Sequence, residues 1–179
     1  MNIDDKDIIL TVRQHSEKGF RLLMQKYKQP VYWHIRRLVV AHDDAQDAAQ
    51  ETFIRIFRSF DQYRDGSSFR AWIFRIATNE ALRLIASRRQ EQVSLEADGN
   101  EAINVVADNY VDYSDLEAVR LQEAILALPV KQQTAFNLRY YDGLSYEEIA
   151  AATDSTPSSA KMNFHLAKEK IIKHLNLKD

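Results

Sequence analysis

The chain has 179 residues, enough for one or two small domains, and its 45% apolar and 28% charged composition is that of an ordinary globular protein. Only 4 Gly and 3 Pro argue against a turn-rich all-β fold, and the absence of Cys excludes disulfides, thiolate-held zinc and thiol nucleophiles. The net charge of −2 averages unlike parts: +5 over residues 1–90, −7 over 91–115, and zero over 116–179.

The start, MNIDDKDIIL, is acidic and has no basic segment followed by a long apolar one, so no secretory signal is read there. No apolar run approaches the roughly 20 residues that span a bilayer, so a cytoplasmic location without membrane insertion is expected. Phe20, Leu23, Met24, Tyr27, Val31, Ile35, Leu38 and Val39 recur at helical spacing. Pro30 falls inside that run and predicts a kink or a break. A second helix starts near His42-Asp43-Asp44, where acids suit a helix N-terminus. Its apolar side is Ala45, Ala48, Ala49, Thr52, Phe53, Ile56, Phe57 and Phe60. Its polar side is Asp47, Gln50, Glu51, Arg55 and Arg58. Asp61–Ser68 breaks the period and reads as a loop. A third helix follows, with Phe69, Trp72, Ile73, Ile76, Ala77 and Leu84 on one side and Arg70, Arg75, Asn79, Arg83, Arg88 and Arg89 outside.

Glu91–Asp115 has no sustained period and no Lys or Arg, so it reads as an acidic linker. The helical period returns with Leu116, Val119, Leu121, Ile125 and Leu128, and Pro129 ends it. Gln132–Tyr141 makes another helix, stopped by Asp142-Gly143. Ser145-Tyr146-Glu147-Glu148 is a capping box that starts a short helix. Thr156-Pro157 starts the last one, which runs to about Leu175. The fold class is therefore all-α: two small helical domains, 1–90 and 115–179, joined by an acidic linker over 91–114.

Chemistry-bearing motifs are missing. His15, His34, His42, His165 and His174 do not form the metalloprotease pair, and there is no P-loop, no G-x-G-x-x-G and no G-x-S-x-G. No enzyme activity, cofactor, metal or small-molecule substrate is expected. The last two helices have the outline of a helix-turn-helix, which places the start of its second helix at base edges. Those positions are Ser158, Ser159, Lys161, Met162 and His165. Lys161, Lys168, Lys170 and Lys173 are opposed only by Glu169. The residues alone leave two readings open, a DNA reader and a bundle with a solvated lysine face.

The wider pattern resembles a known family. Leu128-Pro129, Phe136, Leu138-Arg139-Tyr140-Tyr141, Gly143-Leu144-Ser145 and Glu147-Glu148-Ile149-Ala150 resemble the promoter-reading region four of bacterial sigma factors. Asp47–Tyr63 and Phe69–Gln90 resemble the polymerase-binding and promoter-melting helices of region two. Both regions in this order, with a short linker between, resemble the small extracytoplasmic-function (ECF) sigma factors. The chain departs from that family at Asn163 and Leu166, where Arg is usual, and at Asp154, where Gly is usual. It also has Arg83 where Asp is common, and only Arg88-Arg89 where the arginine cluster is often longer.

The resemblance implies a subunit that directs core RNA polymerase to promoter DNA. Asp47, Gln50, Glu51, Phe53, Arg55 and Arg58 would dock on the clamp coiled coil, with the C-terminal domain at the flap. Arg64, Arg75, Asn79, Arg83, Arg88 and Arg89 would hold and open the downstream element. Ser158, Ser159, Lys161, Met162, His165 and Lys168 would read the upstream element through a helix-turn-helix of three to four helices, winged-helix-like. The linker would thread the RNA path of the polymerase, and an anti-sigma protein is a partner the family adds. Trp72 and Phe69 lie on the apolar stripe, so core packing is expected of them rather than base stacking. The alternative is a dimeric helix-turn-helix regulator acting without core polymerase; a module that only sequesters a partner is a further rival.

Overall fold

The computed structural model describes residues 2–97 and 114–176, and all regular structure among them is helical. The order is α1 (Asp5–Gln14), α2 (Ser16–Val39), α3 (His42–Ser59), a short turn of 3-10 helix (Phe60–Gln62), α4 (Phe69–Ala97), α5 (Leu116–Leu126), α6 (Val130–Tyr140), α7 (Tyr146–Thr153) and α8 (Pro157–Asn176). Most of the acidic linker, residues 98–113, lies outside the described residues.

Helix α1 is absent from the sequence reading. Asp4 caps it by accepting from the Lys6 N–H at 3.0 Å, and Ile8, Ile9 and Val12 turn into the core. Its short run carries only three buried apolar residues, too few for a clear period. Gly19 lets α1 lie against α2: a Cβ there would stand 2.3 Å from the Val12 nitrogen.

Pro30 does not break α2, which continues from Ser16 to Val39. Proline removes one hydrogen bond and crowds the previous turn. Tertiary packing offsets this, because Leu23, Val31 and Ile35 on either side are fully buried among α1, α3 and α4. Helix α4 also outruns its expected end near Gln90 and continues to Ala97. From Ala86 on, the residues described there are exposed. Intrinsic propensity of Arg, Gln and Glu carries that stretch, because no core lies beneath it.

Two apolar clusters organise the chain. One joins α5, α6 and α8 through Ile125, Leu128, Phe136, Ala167 and Ile171, with Phe164 partly buried against it. Phe164 stacks on Phe136 with ring centroids 5.8 Å apart. The other starts in α1–α4 and does not stop at the N-terminal half. Leu138, Leu144, Ile149, Ala152 and Ala160 from α6, α7 and α8 belong to it, so the two halves share buried apolar surface. Phe69 and Trp72 sit in this cluster with Phe60 and Tyr63, the core role the stripe implied.

Candidate nucleic-acid interface

The helix-turn-helix is built by local rules. The Ser145 hydroxyl accepts from the Glu148 N–H at 3.1 Å, and Glu148 accepts from the Ser145 N–H at 2.9 Å, closing the capping box of α7. Asp154 ends α7 in the left-handed region at φ 53°, which its short polar side chain tolerates where Gly is usual. Thr156 then accepts from the Ser159 N–H at 3.1 Å and Pro157 opens α8.

Along α8, Ser158, Lys161, Met162, His165 and Lys168 are exposed, Met162 by 64%. Ser159 is only half-exposed. It lines a cavity of about 200 Å³ that Thr78, Asn79 and Leu82 of α4 close from the other side. Ser159, expected at the upstream element, and Asn79, expected at the downstream element and itself exposed, thus line the same cavity.

The arginines expected on DNA are unequally placed. Arg64 and Arg89 are exposed. Arg88 donates to Asp44 at 2.6 and 3.2 Å and to Glu91 at 3.1 Å. These hydrogen bonds, that of Asp44 first, raise its pKa. Arg83 lies 3.1 Å from Glu80, and Arg55 lies 2.5 Å from the same carboxylate. Glu80 is only 7% exposed, so the two cations hold a nearly buried acid at the α3–α4 seam. Arg55 also reaches Glu51 at 3.2 Å. The pair Glu51 and Arg55 is therefore engaged within the protein and is not simply a free docking face. Arg75 stands 3.8 Å from Asp154 in the helix-turn-helix. Loop residues 61–68 are anchored by Asp65, which accepts twice from Arg13 of α1 at 2.8 and 3.1 Å. The hydrogen bond from Arg13 pulls the Asp65 carboxyl below its ordinary value.

In the N-terminal half, α2 and α3 line an apolar groove of about 1030 Å³ with Met24, Tyr32, Asp47, Gln50, Phe53 and Phe57 among its walls. Phe57 is 59% exposed and lies against Phe20, with ring centroids 4.7 Å apart. The sequence pattern put Phe57 and Met24 on apolar stripes and left Tyr32 unnamed. A signal was present: the apolar residues of α3 span more than the stripe of about 100° that one packed face needs.

Comparison with known proteins finds two family matches in series. The family model for Sigma-70 region 2 matches residues 23–91, and that for Sigma-70 region 4 matches residues 118–171. The ECF RNA polymerase sigma-E factor of Escherichia coli K12 is 32% identical over 178 residues, covering 94% of this chain and 93% of that protein. The RNA polymerase sigma-H factor of Pseudomonas aeruginosa is 30% identical over 180 residues, covering 96% and 93%. The fold is similar to that of the sigma factor RpoE solved with the anti-sigma factor NepR from Bartonella quintana, with TM-score 0.73, 23% identity and coverage of 90% and 99%. It is likewise similar to CnrH solved with the cytosolic domain of CnrY, with TM-score 0.75, 18% identity and coverage of 98% and 99%. Two family matches in series, on the helices that carry the groove and the helix-turn-helix, place the chain in one family: it is an ECF sigma factor of bacterial RNA polymerase, a transcription initiation factor.

Proposed function

We propose how the residues divide the work of a sigma factor. Residues 1–90 bind core polymerase and open DNA, 91–114 form the linker, and 115–179 read the upstream element. The observation that carries this is the pairing of an open groove on α2–α3 with an exposed α8 on the far half.

The groove has the chemistry of a protein-docking surface. Apolar Phe53 and Phe57 supply area, while Asp47 and Gln50 on its rim set orientation. A helical hairpin such as the clamp coiled coil fits such a trough, and the C-terminal domain would meet the flap. An anti-sigma protein, of the kind present in the solved relatives, would compete for the same surface. Arg64, Arg75, Arg83 and Arg89 would hold phosphates, and Asn79 offers both a donor and an acceptor to an unstacked base. Arg88 also belongs to this set. The acidic linker would occupy the basic channel for RNA. Replacing its acids by Asn and Ser should lower initiation while core binding persists; unchanged initiation would refute that role.

The protein works in the cytoplasm with the polymerase. No described helix is long and apolar enough to cross a membrane. A dimeric regulator is not favoured, because it has no use for a region 2 match over residues 23–91. The docking assignment is tested by co-elution with core polymerase. The original protein should co-elute, and Asp47→Lys combined with Phe57→Ser should not. Those two side chains are exposed, so helix content should be unchanged. Undiminished co-elution would remove the groove from the account.

A further inference from the structure

The exposed face of α8 has an apolar centre. Ala160, Ala167 and Ile171 are buried and mark the side on which the helix packs. At about 100° per residue, Met162 stands about 140–180° round the helix from them, in the middle of the outward face. It is 64% exposed, and Leu166, one turn on, is 37% exposed. A single exposed apolar side chain is ordinary, but here two follow one another along one line of the helix. Ile172 is exposed as well, about 15 Å beyond Met162.

The neighbours of this patch are cations. Lys161 and Lys168 flank it on one side and Lys170 on the other, and all three are exposed. Lysines on both flanks suit the two phosphate walls of a groove, with the middle of the face turned to the bases. Glu169 is exposed on the same face, nearly two turns beyond Met162. The exposed side chains from Ser158 to Lys173 include no Arg, Asn or Gln, the side chains that fork onto guanine or adenine. Asn163 is half-buried and lines the cavity beside α4. The middle of the face therefore offers a base edge apolar contact, and the apolar feature of the major groove is the 5-methyl group of thymine. An unbranched, polarisable Met side chain adapts readily to such a surface.

We propose that Met162 and Leu166 determine specificity by packing on the 5-methyl groups of two thymines in the major groove of the upstream element, while the flanking lysines hold phosphates. This deepens the reading of α8 as the upstream-element helix, on which it rests, by naming the base chemistry that the helix selects. The two side chains are one turn apart, about 6 Å along the axis, and base pairs rise about 3.4 Å, so the two methyls lie about two base steps apart. Each contact removes an apolar tip and a methyl from water together, which favours thymine over a base without the methyl.

The test uses holoenzyme assembled from the full chain and core polymerase. Duplexes are selected from a random-sequence pool, and each thymine of the enriched upstream element is then replaced by deoxyuridine, which removes the methyl and nothing else. Replacement at each of two thymines, about two base steps apart, is expected to lower affinity about fourfold, the worth of one buried methyl. Met162→Ala should abolish the loss at one of them and Leu166→Ala at the other. Both side chains are exposed and alanine favours helix, so helix content should be unchanged. Lys161→Ala should weaken thymine and deoxyuridine duplexes alike. An element with no thymine sensitive to the replacement overturns the proposal, and so does a sensitivity that survives both alanine variants. Weaker core binding by the two alanine variants, without methyl dependence, overturns it too and gives the patch to a protein partner. The reading of α8 on which the proposal rests fails separately, and is lost only if Lys161→Ala also leaves duplex affinity unchanged.

Discussion

Glu148 shows how one side chain can answer to two scales. Burial raises its carboxyl, but the hydrogen bonds from Arg70, the Ser145 N–H and Ser68 outweigh burial and hold it down at about 2, from an ordinary value of 4.5. A depressed acid stabilises the folded form above its free value and loses that contribution as pH falls from about 4.5 towards 2. The thermal midpoint should therefore hold this contribution from neutral pH to about pH 5 and lose it below that. In the Glu148→Gln variant this component of the decline should be missing, and an unchanged acid profile would contradict the assignment. Gly19 makes the second residue-scale prediction. A Cβ would stand 2.3 Å from backbone of α1, which cannot rotate away as a side-chain tip could. Gly19→Ala should cost about 1–3 kcal/mol, read as a lower urea midpoint. An unchanged midpoint would mean that α1 does not pack as described.

At the scale of elements, local signals were legible and distant ones were not. The capping box at Ser145, the Thr156 cap and the left-handed Asp154 lie within a few residues of what they control, so α7 and α8 could be placed from sequence. Loss of the Ser145 hydroxyl should cost about 1 kcal/mol, measured on Ser145→Ala by thermal melting. The course of α2 through Pro30 was not legible, because it depends on packing by helices elsewhere in the chain. The groove was half legible: Asp47, Gln50 and Phe53 were singled out, whereas Phe57 reads as core until the position of α2 is known. The two charged residues chosen with them, Glu51 and Arg55, turn out to be tied to each other and to Glu80. Helix α8 makes a prediction of its own. Lys161→Ala should weaken binding to all duplexes evenly and lower the salt slope by about 1. Met162→Ala should change preference among sequences instead. If both changed affinity alike on every duplex, α8 would not be reading bases.

At the scale of the molecule, an all-helical chain with two domains could be read from periodicity and composition, but their contact could not. Arg70 and Glu148 are 78 residues apart and no local pattern links them. Each looks like an unremarkable surface charge until the fold brings them to 2.6 Å. The shared core has the same cause: Leu138, Leu144 and Ile149 stand in the C-terminal motif, and the structure places them in the cluster of α1–α4. A molecule packed in this way keeps the α2–α3 groove open while α4 and α8 share a cavity.

The most direct test is run-off transcription on genomic promoter fragments, with core polymerase and this protein added separately and together. The account predicts new, discrete transcripts only when both are present, and their loss with Asp47→Lys combined with Phe57→Ser. Transcripts unchanged by adding the protein, together with a stable duplex complex formed without core polymerase, would contradict it.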